Sequence, residues 1–240
     1  MIRPIRFAAL LAAVATLVAG VAPASAHPLQ VGTQQPVMSA GQVSGSVSLA
    51  PAPCVDSAYQ LIGAKWAKGS YSWSFRARSV PSSLRRRAAR NTIIRAFHNV
   101  TSEHNDCGRA ARISITANFL GNTRHKPSCT SRDGHNVIGF GRLPRGILAV
   151  TCYWTRNGKM IEADMKINNR EAWALSLAGC RRAVMLEATI THEAGHVFGL
   201  AHVGERRHGR LTMSTYIDGL CENQESTLGL GDMLGLEALY

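Results

Sequence analysis

Along the chain the apolar positions change period several times, and each change marks an element. In "YSWSFRARS" Tyr71, Trp73, Phe75 and Ala77 alternate with polar residues, which predicts a strand with one buried face. Past Pro81 the period lengthens. Ser82-Ser83 is a helix start signal, and Leu84, Ala88, Ile93, Ala96, Phe97 and Val100 recur at helical spacing to about Val100. "RISITANF" returns to alternation through Ile113, Ile115, Ala117 and Phe119, and "NVIGFG", "GILAVTCYW" and "KMIEADMKIN" predict further short strands between turns containing Gly and Pro. A second long helix is predicted from about Arg181 to Gly199, with Ala183, Leu186, Ile190, Ala194 and Val197 as its core-facing stripe. The closing "LGDMLGLEAL" predicts a last helix. This succession implies an α+β (mixed α/β) fold, with helices packed on a sheet.

Outside these periodic segments the first 53 residues stand apart. Arg3 and Arg6 precede the apolar run "FAALLAAVATLVAGVA", and small residues close it at Ala24-Ser25-Ala26. That order predicts a signal peptide over residues 1–26 and a secreted, extracellular protein without a stable membrane anchor, since the run is short for a span of about 20 residues. From His27 to Val55 there is no Asp, Glu, Lys or Arg. A stretch of this composition cannot bury a core, so residues 27–53 are expected to be a low-complexity linker or short pro-segment. The folded domain is expected over residues 54–240, and no internal repeat is visible.

Six cysteines in an exported chain (Cys54, Cys107, Cys129, Cys152, Cys180 and Cys221) imply three disulfides. Of the 15 connectivities six cysteines allow, pairing of neighbours is expected: 54 with 107, 129 with 152, 180 with 221. The formal charge is +12, and 25 basic residues still face 15 acidic ones once Arg3 and Arg6 are lost. Such a surface favours anionic surroundings. The run Arg85-Arg86-Arg87 lies on the predicted first helix without interleaved aromatics, so it is a solvated face and no specific nucleic-acid partner is expected.

The chemistry concentrates in "THEAGHVFGLAHVGERRHGRLTMSTY", residues 191–216. His192 and His196, at i and i+4, share one face of the second helix. Gly199 can end that helix in a left-handed conformation and turn the chain so that His202 reaches the same point. Three neutral imidazoles suit Zn²⁺ and leave a fourth position for water, the open geometry of a catalytic site. Glu193 is not needed as a ligand and is placed as a general base toward that water. A bare H-E-x-x-H arises by accident fairly often, but five fixed positions arise on the order of 10⁻⁴ times in a chain of this length.

"HEAGHVFGLAH" with "LTMS" downstream resembles the metzincin zinc peptidases, and most closely the matrixins and their secreted bacterial relatives. The resemblance spans most of residues 70–240. It implies a zincin-like fold: a twisted, mostly parallel sheet, two long helices including the active-site helix, a methionine turn and a C-terminal helix. It implies catalytic zinc on His192, His196 and His202, Glu193 as base, and Met213 as the turn residue supporting the metal site. "GILAVT" is similar to the matrixin edge strand, along which substrate backbone lies antiparallel; Leu148 and Ala149 would line it, and Tyr216 would line the pocket wall. The implied activity is hydrolysis of polypeptides by a monomeric zinc endopeptidase.

The chain also departs from the pattern. The loop between His202 and Met213 is long, position 215 is Thr, and Gly231-Asp232 stands where animal relatives carry paired aspartates. No Pro-Arg-Cys-Gly segment precedes the domain; Cys54 in "PAPCVD" offers a thiolate in its place only by leaving an odd number of cysteines. Calcium donors of the right type exist at Asp133, Asn136 and Asp164 without assignment to a site. His208 is a solvated loop residue or a substrate contact, and His98, His104, His125 and His135 have no ligand spacing. Gly195 in mid-helix reflects either a close approach near the zinc or tolerance, and Asn99 begins a glycosylation sequon at a helix end. The other functions open to this sequence are a catalytically silent zinc-binding module and a basic domain for anionic polymers.

Overall fold

The alternation at residues 70–75 becomes a strand whose Tyr71, Trp73 and Phe75 are buried, and the other elements assemble around it. The computed structural model describes residues 30–33, 37–39, 50–217 and 219–240, so the expected signal peptide at 1–26 lies outside the described residues. In chain order the elements begin with β1 (Gln30–Thr33), β2 (Val37–Ser39), β3 (Gln60–Leu61), β4 (Ser70–Phe75) and helix α1 (Arg86–Thr101). There follow β5 (Thr116–Asn122), β6 (Val137–Gly141), β7 (Ile147–Arg156), β8 (Lys159–Asn168), β9 (Trp173–Ala174) and β10 (Val184–Met185). Helix α2 (Leu186–Val197), β11 (Leu200–Ala201), α3 (Glu205–His208), β12 (Tyr216–Ile217) and α4 (Leu230–Leu239) complete the domain.

The main sheet has the order β12-β2-β7-β8-β6-β4-β5, with β1 also paired to β7. Pairs β5/β4, β4/β6 and β6/β8 are parallel, whereas β7 is antiparallel to β8. The reversal occurs at Asn157-Gly158, whose φ values of 52° and 70° are those a two-residue hairpin turn demands. Helix α1 packs on β5 and α2, and α2 packs on β7. Between them Phe97 stacks on Trp73 and Tyr71 at centroid distances of 5.3 and 5.6 Å. Each such buried side chain contributes roughly 1.5–3 kcal/mol.

Several element boundaries differ from the sequence pattern, each for a local reason. Helix α1 starts at Arg86 with Arg85 at its cap, because Pro81 to Leu84 closes a turn instead (Leu84 N–H to Pro81 O, 3.0 Å). Strand β5 starts at Thr116, since the backbone N–H groups of Arg112 and Ile113 are taken by the Glu103 carboxylate. Helix α2 is only 12 residues long. Val184 and Met185 pair parallel with Trp173 and Ala174, which removes the segment before Leu186 from the helix. The single core-facing stripe expected for α2 is also corrected. Every residue of α2 except Glu187 is buried, so the helix is enclosed on all sides.

The three disulfides join Cys54 to Cys107, Cys129 to Cys152 and Cys180 to Cys221. The first removes Cys54 as a latent metal ligand. Asn99 is buried, with its amide on Glu187 Oε1 (3.2 Å) and Thr191 Oγ1 (3.3 Å), so in this fold the side chain packs α1 on α2. The low-complexity stretch contributes β1 and β2, both antiparallel to β7. Main-chain pairing of this kind needs no apolar side chains. Among the described residues no helix is long and apolar enough to cross a membrane.

Candidate metal centre and active site

Helix α2 carries His192, Glu193 and His196 into the interior. Its C-terminal end is fixed by Trp66 Nε1–H on Val197 O (2.8 Å) and by Tyr240 O–H on Phe198 O (3.1 Å). Gly199 then takes φ = 101°, and an ideal Cβ there would stand 2.5 Å from Ala64 O, so both conformation and space require glycine. Past this turn, β11 pairs with β3 and brings His202 back over the helix.

The three imidazoles converge. His202 Nε2 lies 2.9 Å from His192 Nε2 and 3.0 Å from His196 Nε2. His192 Nδ1 donates to Thr212 O at 2.7 Å and His196 Nδ1 donates to Leu200 O at 2.8 Å. A carbonyl can only accept, so in both rings the proton sits on Nδ1 and the Nε2 lone pair faces the cluster. Lone pairs this close repel one another unless a cation or proton lies between them. Protons are disfavoured: burial pushes His192 well below the usual histidine range, His196 down to about 3 and His202 down to about 4. Nitrogen atoms in a triangle of this size fit a metal ion at about 2.0–2.1 Å from each. His192, His196 and His202 are the residues that could hold it.

Glu193 is buried on the same helix. Its Oε2 accepts the Thr151 hydroxyl at 2.5 Å, while Oε1 is buried with no hydrogen-bond partner among the described residues. Burial pushes this carboxyl up to about 8, and the Thr151 hydroxyl pulls the other way. A buried oxygen without a donor costs roughly 1–3 kcal/mol, so it marks a place where a polar guest belongs.

Below the helix, Met213 is buried with its Sδ under Gly195, where an added Cβ would stand 2.3 Å away. The glycine is therefore required by a close approach, and the approaching group is the methionine. Asp232 holds the Met213 turn from the C-terminal side. It accepts N–H from Thr212 (3.0 Å), Met213 (3.1 Å) and Gly229 (2.9 Å). Burial pushes Asp232 up to about 6 against these three donors.

A family model described as matrixin matches residues 65–240. The chain belongs to the matrixin family. No curated protein matches it.

Matrixin membership carries the fold, a zinc metallopeptidase activity and polypeptide substrates at the level of the family. In this matrixin Leu148 and Ala149 are buried in β7, and Tyr216 is half-buried in β12, where its N–H reaches Glu205 Oε2 at 3.1 Å. His208 neither faces solvent freely nor joins the histidine cluster; its Nδ1 lies 2.9 Å from Asp56 Oδ2 and ties α3 to the start of the domain. Asp164 and Asn136 work as loop pins. Asp164 accepts N–H from Ser128 and Val137, both at 2.7 Å, and Asn136 bridges Ser72 O and Ala163 N–H.

Thr151 and the role of Asp232 were not found from sequence. The available signal for Thr151 was a lone hydroxyl inside the apolar run "ILAVTCYW". A second cluster was missed as well. His125, Asp133 and His135 are exposed, with ligand atoms within 4.8 Å of one another and the two rings stacked at 3.8 Å. Nine residues lie between the two histidines, and the loop that joins them is shaped by Asp164 and Glu162 from β8.

Proposed function

We propose that this matrixin is a secreted zinc endopeptidase, made with a signal peptide at residues 1–26, catalytically active over residues 54–240, and monomeric. The observation that carries the reading is the convergence of three imidazole Nε2 atoms at a helix that also buries a carboxylate oxygen with no hydrogen-bond partner among the described residues. His192, His196 and His202 would hold the metal, which when bound would acidify a water and polarise the scissile carbonyl. The chain's own residues do the rest. Glu193 takes the proton from water and returns it to the leaving amine through Oε1, while Thr151 fixes the other oxygen so that the carboxylate cannot rotate away. Three disulfides and the lack of a membrane-crossing helix among the described residues are compatible with an extracellular location.

Substrate backbone lies along β7 at Leu148 and Ala149, with Tyr216 on the opposite wall. Met213 and Asp232 support the metal-holding turn from below. The test is Glu193→Ala with metal analysis beside a casein-type assay. The variant should keep its metal and fold and lose at least about 10²-fold in kcat, as expected for removal of a general base. Equal hydrolysis by parent and variant refutes the assignment. Bound zinc without any hydrolysis by the parent points to a silent zinc-binding module.

A further inference from the structure

Strand β7 would be the open edge of the catalytic sheet, yet two strands from the low-complexity stretch lie on it. Gln30 to Thr33 pair antiparallel with Thr155 to Cys152, and Val37 and Met38 continue in the same direction opposite Ala149 and Ile147. On its other side β2 pairs parallel with β12, Met38 opposite Tyr216 and Ser39 opposite Ile217. It also lies against α2. A backbone segment therefore fills the groove between the edge strand and the wall, directly above the helix that carries the histidines.

The two strands bracket the catalytic level. β1 ends opposite Cys152 and β2 begins opposite Ala149, so Thr151, whose hydroxyl holds Glu193, falls between them. Adding an extended peptide to a sheet edge is a general mode of peptide recognition, in which main-chain hydrogen bonds supply the affinity. The direction, antiparallel to β7, is the one in which substrate is expected to run. Composition makes the occupancy reversible. From His27 to Val55 no residue is charged and most are Gly, Ser, Ala, Val, Gln or Pro, so no ion pair anchors the segment.

We infer that residues 30–33 and 37–39 act as an internal pseudosubstrate: these strands of the chain's own N-terminal segment occupy the peptide cleft in substrate orientation and keep it closed until they are displaced or removed. This mode of latency uses backbone pairing and needs no thiol; Cys152, opposite Thr33, is bonded to Cys129, and Cys54, the next cysteine along the chain, is bonded to Cys107. The inference rests on the peptidase reading above, and its test separates the two.

Successive N–H groups in a strand point to opposite sides, and β2 has a neighbour on each side. The double substitution Val37→Pro/Met38→Pro removes both donors in the full chain and should release the segment. Two quantities are then followed: the initial rate on a quenched-fluorescent peptide, and amide exchange at Ile147 to Ala149, with Met165 and Ile167 in β8 as internal controls of an intact fold. The expected result is an initial rate at least tenfold above that of the parent and faster exchange confined to β7. A synthetic peptide of residues 27–49 should then inhibit the variant competitively, raising KM without changing kcat, while the same peptide with both prolines should not. Equal initial rates and equal exchange in parent and variant overturn the inference. Faster exchange in a variant that hydrolyses nothing keeps the occupied cleft and overturns the peptidase reading instead. If the β8 controls show that the double variant has lost its fold, Val37→Pro alone, which removes one donor, takes its place with the same readouts.

Discussion

Gly195 and Met213 offer the sharpest test of how the helix that carries His192 and His196 is supported. Replacing Gly195 by Ala in a helix interior should stabilise by about 1 kcal/mol on backbone grounds. Here an ideal Cβ would stand 2.3 Å from Met213 Sδ, 3.2 Å from Met213 Cε and 3.6 Å from Leu200 Cδ1. Ordinary carbon contacts lie near ~3.5–4.0 Å, so the sulfur has to move by more than an ångström in a packed interior. Overpacking of this kind costs about 1–3 kcal/mol, which leaves Gly195→Ala destabilised by about 0–2 kcal/mol. Met213→Ala alone creates a cavity and should cost about 2–5 kcal/mol. With Met213 Sδ and Cε gone, the closest of the three neighbours that remains is Leu200 Cδ1 at 3.6 Å, an ordinary contact, and the helix gain survives. Gly195→Ala should therefore stabilise the Met213→Ala background by about 1 kcal/mol while destabilising the parent. Urea unfolding of all four proteins in excess chelator, so that metal binding does not enter the balance, measures the coupling. An effect of Gly195→Ala with the same sign and size in both backgrounds, within about 0.5 kcal/mol, refutes the contact.

Three other expectations follow from buried polar groups. Thr151→Val removes the hydroxyl that favours the ionised form of Glu193, so the acidic limb of kcat/KM should move to higher pH; a limb that stays in place means Thr151 does not set the base. Asp232→Asn leaves at least one of three buried N–H donors facing an amide N–H₂, and thermal unfolding should report a loss of about 2–4 kcal/mol. Asp164 is pushed up to about 7, first by burial and further by Glu162 and Asp133, so above its unfolded value of 3.8 the folded chain holds a proton the unfolded chain has lost. Stability from this group therefore falls as pH rises from about 4 to 7, by roughly 4 kcal/mol in all, and the advantage of the parent over Asp164→Asn should shrink by that order. An advantage that is constant or grows with pH shows that the Ser128 and Val137 N–H groups hold the carboxylate charged.

How much of this was legible follows from the range over which each feature is determined. Strand β4 was readable because its burial alternates along its own sequence, and β6, β7 and β8 because they are short runs rich in apolar residues between turns. The helix that carries the site was found, but its length and its enclosure were not. Its start is decided by Trp173 and Ala174, which capture Val184 and Met185, and its outer face is covered by α1 and by the Met213 turn. Periodicity reports one buried face and is silent when neighbours cover all of them. The start of β5 was lost in the same way, because a single carboxylate, Glu103, takes two N–H groups that the alternation assigns to a ladder.

The site divides along the same line. His192 and His196 are joined by one helical turn, and His202 by the glycine whose φ reverses the chain, so all three follow from rules acting over about ten residues. What holds the carboxylate and the turn comes from farther away: Thr151 reaches Glu193 across 42 residues and Asp232 reaches Thr212 across 20. Neither partner carries a spacing signature, because a hydroxyl on a strand and an aspartate on a helix are ordinary surface residues until the fold buries them. The segment on β7 is the extreme case. Its composition, without charge and poor in large apolar groups, excludes a core and says nothing about pairing, since every non-proline residue brings the same N–H and C=O to an open edge. The composition that hides the segment from a sequence reading is also what lets it leave the cleft, because its main-chain bonds can be exchanged for those of a substrate and no ion pair has to be broken.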